Sequence, residues 1–201
     1  MDLTALRSLL AAVRARESQR RIIIFGSSSL LISLTGAIPA ELGIETTLDA
    51  DFLLDPDDEH ARRSLDESLG SDSEYDASHG VHGDFVDAGL ARDCFPVGWR
   101  DRLVPVSGFD SVLALGTTDA AAAKLLATAF SRLNRRMGRS NADRATKDIR
   151  AVAALLRAGL LDPIELQQRL ESVELPPALT VEAGLVLEET KSAASQSGLH
   201  E

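Results

Sequence analysis

Arg21-Ile-Ile-Ile-Phe25, the turn Gly26-Ser-Ser-Ser29 and the later run Thr46-Thr-Leu-Asp-Ala-Asp-Phe-Leu-Leu54 decide how this chain reads. The first run predicts a strand, the small polar turn the opening of a helix, and the last run a second strand that carries two acids. Side chains alternate along a strand, so Asp49 and Asp51 are expected on one face, and Leu48, Ala50 and Phe52 on the other. Two residues of strand put the two Cα atoms about 7 Å apart. That spacing lets both carboxylates converge on one divalent cation. At Gly26, the backbone N–H groups of the following helix would face an anion. Between the two runs, Thr35 to Ile44 holds Gly36, Pro39 and Gly43 and reads as a loop.

Working outward, Leu3, Leu6, Leu10 and Val13 recur at helical spacing, which predicts an amphipathic first helix. Leu30, Leu31 and Leu34 continue a buried helix after the serine turn. Asp55-Pro56-Asp57-Asp58 predicts a helix start, with an Asp cap and Pro at the first helical position, running to Gly70. Ser71 to Gly83 is polar and reads as a mobile loop. Its His79-x-x-His82 spacing lacks the Cys or acidic partners of a familiar zinc site. Asp84-Phe-Val-Asp87 predicts a short third strand, and Arg100 to Val106 and Ser111 to Leu115 further strands. Phe95-Pro-Val-Gly-Trp99 reads as a turn with a buried aromatic. From Thr117 the pattern becomes helical. One stripe holds Leu126, Phe130, Leu133 and Met137, and Lys124, Thr128, Ser131 and Arg135 lie opposite. Gly138 is expected to end that helix and Asn141 to cap the next, in which Ile149, Val152, Ala153 and Leu156 face the core while Arg144 and Asp148 sit four apart. Asp162-Pro163 starts a third helix, Val181 to Glu189 forms a fourth, and Lys191 onward is expected to fray. The division is therefore an α/β core over 1–116, a helical region over 117–190 and a tail over 191–201.

Composition sets bounds. With 201 residues, 44% hydrophobic and 26% charged, the chain is long enough for an ordinary core, but aromatics at 4% leave aliphatic side chains and alanine to fill it. A net charge of −10 opposes blanket binding to nucleic acid. Locally the balance reverses: Arg132 to Arg150 carries seven basic and two acidic residues, the place for the phosphates of an RNA if the chain binds one. A single cysteine, Cys94, forms no internal disulfide. No apolar run reaches the length of a membrane span and the N-terminus has no leader-like pattern, so a cytoplasmic chain is expected.

A glycine-serine turn followed by an acidic pair on the next strand resembles the nucleotidyltransferase superfamily, and the pattern here is Gly26, Ser27, Asp49 and Asp51. Within that superfamily the chain is similar to AbiEii-type toxins and related bacterial nucleotidyltransferases. The added residues are Lys124, the run Arg144-Ala-Thr-Lys147-Asp148-Ile149 and the turn Gly98-Trp99-Arg100-Asp101-Arg102. The likeness spans roughly residues 20 to 170 and rests on the order of its motifs. It implies an α/β (α+β) fold: a nucleotidyltransferase-like mixed β-sheet flanked by helices, followed by a helical region.

It also implies a site. Asp49, Asp51 and a third carboxylate would hold Mg²⁺ or Mn²⁺; Gly26, Ser27, Ser28, Lys124 and Arg144 would bind the nucleoside triphosphate; Asp148 joins the catalytic set. For the third carboxylate Asp87 is chosen over Asp84, because it ends the predicted strand, whereas Asp84 follows a polar loop. The implied reaction transfers a nucleoside monophosphate to an RNA or tRNA end or a protein, as in a toxin with an antitoxin partner. Two alternatives stay open: an antibiotic-type enzyme acting on a small hydroxylated molecule, and a non-catalytic nucleotide-binding or regulatory relative. The latter is kept because Glu45 stands where related sequences often carry an arginine. A dinucleotide-binding turn fits poorly, since its second and third glycines are absent. Trp99 reads as core in preference to a base-stacking platform.

Overall fold

The computed structural model describes residues 1–34, 49–138 and 145–196. Its fold is a mixed five-stranded sheet with helices, and the described residues fall into two compact units. The first holds 1–34, 49–92 and 99–116; the second holds 93–98, 117–138 and 145–196.

In the first unit the chain runs α1 (Leu3–Arg16), β1 (Arg21–Phe25), α2 (Gly26–Ser33), β2 (Asp49–Asp55), α3 (Glu59–Leu69), α4 (Glu74–His79) and β3 (His82–Phe85). After α5 (Ala88–Cys94) come a 3-10 turn over Trp99–Arg102, β4 (Val104–Pro105) and β5 (Val112–Ala114). The strand order is β3-β2-β1-β5-β4. β1 is antiparallel to β2 and parallel to β5, and β2 is parallel to β3. Period-two alternation fixes which face is core. Ile22 and Ile24 of β1 and Ala50, Phe52 and Leu54 of β2 join Leu6, Leu9, Leu10 and Val13 of α1 and Leu65 and Leu69 of α3 in one buried cluster. Phe52 also stacks on Phe85 of β3, with ring centroids 5.3 Å apart. The odd-numbered residues of β2 therefore point to the opposite face.

Several expectations need correction. The cap of α3 is Asp58, whose carboxylate accepts from Ala61 N at 2.9 Å, so Pro56 precedes the helix instead of opening it. Arg20 completes that end, its guanidinium 2.6 Å from the same carboxylate. Ser71 to Gly83 is not a loop throughout. Ser73 caps α4 by accepting from Asp76 N at 3.1 Å, and Gly80 closes it in the left-handed region at φ 68°. Because Ser73 is buried, Ser73→Ala is expected to cost about 1 kcal/mol, read as a lower midpoint in urea unfolding. The strand predicted over Asp84–Asp87 lies two residues earlier, at His82–Phe85. Arg100 to Val106 supplies only the two-residue β4, because Trp99–Arg102 coils into the 3-10 turn.

The second unit packs α6 (Thr117–Arg136) against α7 (Ala145–Arg157), α8 (Pro163–Glu171) and α9 (Pro177–Gln196). Asp162 caps α8 with Pro163 in its first turn, as expected. The stripe assigned to α6 holds at Leu126, which is buried, and fails toward the C-terminal end. Phe130 and Met137 are exposed, while Ala120, Ala121, Ala122, Leu125, Thr128 and Ala129 are buried. A helix surrounded by three others needs small side chains where the backbones approach, and alanine supplies them. Helix α9 is longer than Val181 to Glu189 and continues past Lys191 to Gln196, where fraying was expected. The expected cap at Asn141 lies outside the described residues.

Candidate functional site

Three carboxylates meet at one end of the sheet in the first unit. Asp49 and Asp51 start β2, and Asp84 lies directly opposite Asp51 in the parallel β2–β3 ladder. One carboxylate oxygen from each of Asp49, Asp51 and Asp84 lies within 4.8 Å of the others, and all three residues are half-buried. The ladder explains the convergence. Residues two apart on a strand share a face, and partners opposite one another on neighbouring strands do too.

The third carboxylate is thus Asp84, and the choice of Asp87 is corrected. β3 ends at Phe85, after which Val86 N donates to Phe52 O at 3.0 Å as the chain leaves the sheet. Asp87 falls in the turn before α5. There its carboxylate accepts from Gly89 N at 2.6 Å and pairs with Arg62 at 3.1 Å. A sequence signal for this register exists in Val81-x-Gly83-x-Phe85. Gly83 faces the core, where a Cβ would lie 2.9 Å from the Phe52 ring, so His82 and Asp84 must share the other face.

Antiparallel pairing sets Phe25 opposite Asp51, so the turn that follows β1 arrives beside the acids. Gly26 opens α2 at φ 66°, and a Cβ there would lie 2.2 Å from Asp51 Oδ2. Only glycine permits that conformation and that approach together. Phe25, at the cap position of α2, makes no side-chain cap hydrogen bond, and the positive end of the helix lies at the turn. Ser28 is buried, and its hydroxyl donates to Asp49 O at 3.4 Å; Ser29 Oγ donates to Gly26 O at 2.9 Å. Ser28 therefore ties the helix to the start of β2. Ser27 is half-buried at the turn itself.

The other assigned residues lie in the second unit. Lys124 Nζ is 2.7 Å from Asp148 Oδ1, and both side chains are largely buried. Sequence spacing sets Asp148 four residues from Arg144, which, like Glu45, lies outside the described residues. In the basic segment, Arg132 forks onto Glu189 with bonds of 2.7 and 3.0 Å. That hydrogen-bonded guanidinium holds the Glu189 carboxyl below the usual range. Arg136 lies 2.6 Å from the buried carboxylate of Glu182. Arg132 and Arg136 of that segment thus have carboxylate partners within the unit. His79 is likewise occupied, stacked on Tyr75 with centroids 4.0 Å apart. No helix is long and apolar enough to cross a membrane among the described residues.

Comparison of the chain with family models, curated proteins and solved structures gives no match.

Proposed function

We propose that this chain is a divalent-metal-dependent nucleotidyltransferase, moving a nucleoside monophosphate from a nucleoside triphosphate to an acceptor hydroxyl with release of pyrophosphate. One observation carries the reading: three carboxylates within 4.8 Å of one another, with a glycine turn and a helix start at the same end of the sheet. The donor set fits the metal. Three hard carboxylate oxygens suit Mg²⁺ or Mn²⁺ and suit softer ions poorly, and their mutual repulsion is relieved by a cation. Asp49, Asp51 and Asp84 would be the residues that hold it. Bound there, Mg²⁺ supplies charge neutralisation for the attacking and leaving oxygens of the transfer.

The chain's own groups supply the rest. The turn at Gly26 and Ser27 brings the first amides of α2 toward the triphosphate tail, where N–H donors and the positive end of the helix favour an anion. The acceptor, an RNA or tRNA end or a protein, and a toxin role with an antitoxin partner follow from the family resemblance. The RNA case has one further support in the basic balance of Arg132 to Arg150.

A second reading, nucleotide binding without catalysis, rests on Glu45, which stands where related sequences often carry an arginine. One experiment separates the two. The chain is incubated with each α-labelled nucleoside triphosphate, Mg²⁺ or Mn²⁺, and total cellular RNA and protein. Label transfer supports the enzyme and identifies the acceptor class. Metal-dependent triphosphate binding without transfer or pyrophosphate release supports the second reading, and absence of both overturns the site.

A further inference from the structure

Within the first unit, α1, the end of α2 and the segment that opens with β4 border a cavity of about 170 Å³. Its walls include Leu6 and Leu10 of α1, Ile32 of α2, and Pro105 and Val106. Water fills an apolar space poorly, and one of about 150 Å³ accepts benzene, a body of about six carbons. Ser33 also lines it, with a buried hydroxyl that has no hydrogen-bond partner. Such a hydroxyl calls for an acceptor.

Arg7 and Ser107 are the exposed polar residues of the lining and mark its mouth. The Arg7 guanidinium is held there. Its Nη2 donates to Ser107 O at 3.0 Å, and the group lies 5.2 Å from the centroid of the Phe109 ring. Gly108 leaves room for it, since a Cβ there would come within 2.8 Å of Nη2. Arg20, Arg21 and Arg62 of the same unit each pair with a carboxylate, whereas no carboxylate among the described residues pairs with Arg7. The contact with Ser107 uses one arm of the fork, and a carboxylate is the acceptor whose planar shape the remaining N–H donors match.

We propose that this cavity binds a small monocarboxylate, with a hydrocarbon body of about six carbons between α1 and Ile32 and its carboxylate on Arg7. The cavity shares no residue with the three-aspartate cluster, so the proposal is independent of the nucleotidyl-transfer reading. The opposing account makes Arg7 a brace between α1 and the Ser107 turn, above a packing gap with no charge preference.

Titration of the ¹⁵N-labelled full chain with hexanoate, hexanol and hexylammonium, which share a body and differ in the head, decides between them. Hexanoate is expected to give saturable shifts at the amides of Leu6, Arg7, Ile32 and Ser107, with a dissociation constant of about 0.1–1 mM for so few atoms. Hexanol should bind there about tenfold or more weakly, and hexylammonium should leave these amides unmoved. Arg7→Gln, at an exposed position, should weaken hexanoate about tenfold or more and leave hexanol as in the wild type. Ile32→Phe should remove both by filling the space. Hexanoate that does not saturate by about 10 mM, that shifts only other residues, or that still shifts these four in Ile32→Phe overturns the proposal. Equal affinity for hexanoate and hexanol, or unchanged hexanoate binding in Arg7→Gln, overturns it in favour of the brace.

Discussion

Asp49→Asn or Asp51→Asn is expected to lower metal-dependent nucleotidyl transfer by about a thousandfold or more, the scale of several kcal/mol of lost transition-state charge stabilisation. The same change is expected to make the metal-free protein more stable. Two unit charges less than 5 Å apart repel by about 1 kcal/mol even at the dielectric of water, and the carboxylates here lie within 4.8 Å. Asparagine keeps the shape and removes the charge. Thermal unfolding should therefore rise by about 2–4 °C without metal in a chain of this size, and the stabilisation that added Mg²⁺ gives the wild type should shrink or vanish. Asp84→Asn is expected to behave alike, and Asp87→Asn to leave both activity and metal response near wild type. A site built to hold a cation trades stability for function in this way. Wild-type turnover in the Asp51 variant, or equal sensitivity at Asp87, would sink the assignment.

The part of this site legible in the sequence is the part written in period two. Arg21 to Phe25 and Asp49 to Asp55 show uninterrupted alternation or apolar runs, so the face shared by Asp49 and Asp51 follows from strand geometry alone. The bounds of β3 are not legible in the sequence, because four residues containing His and Gly carry little strand signal and what defines them is pairing with β2, a non-local fact. Helix α4 has only six residues, and its caps identify it where composition suggested a loop. In α6 the hydrophobic scale favoured Phe130 and Met137, whereas packing against three helices selected the alanine face. The pairing of Lys124 with Asp148 joins positions 24 residues apart on two helices, which spacing on a single helix cannot reveal.

Gly26→Ala is expected to be the most informative single change at the turn after β1, because it acts on stability and on the carboxylate cluster through two separable terms. Alanine in the left-handed region costs about 1–2 kcal/mol, and Gly26 sits there at φ 66°. The new Cβ would also lie 2.2 Å from Asp51 Oδ2, a distance at which something must shift. The neighbour that can give is the end of the Asp51 side chain, so its carboxylate leaves the position it shares with Asp49 and Asp84. Unfolding should occur about 5 °C or more lower, and Mn²⁺ affinity should fall about tenfold or more, although no proposed ligand has been replaced. An Asp51→Ala background separates the terms, since the overlap is then gone and only the backbone cost remains. Gly26→Ala should therefore destabilise that background less than the wild type, with a coupling of about 1 kcal/mol or more, as for residues in direct contact. Equal costs in the two backgrounds would mean that the turn does not press on Asp51. Unchanged Mn²⁺ affinity in the single variant would mean that the turn and the carboxylates, though adjacent, do not form one site.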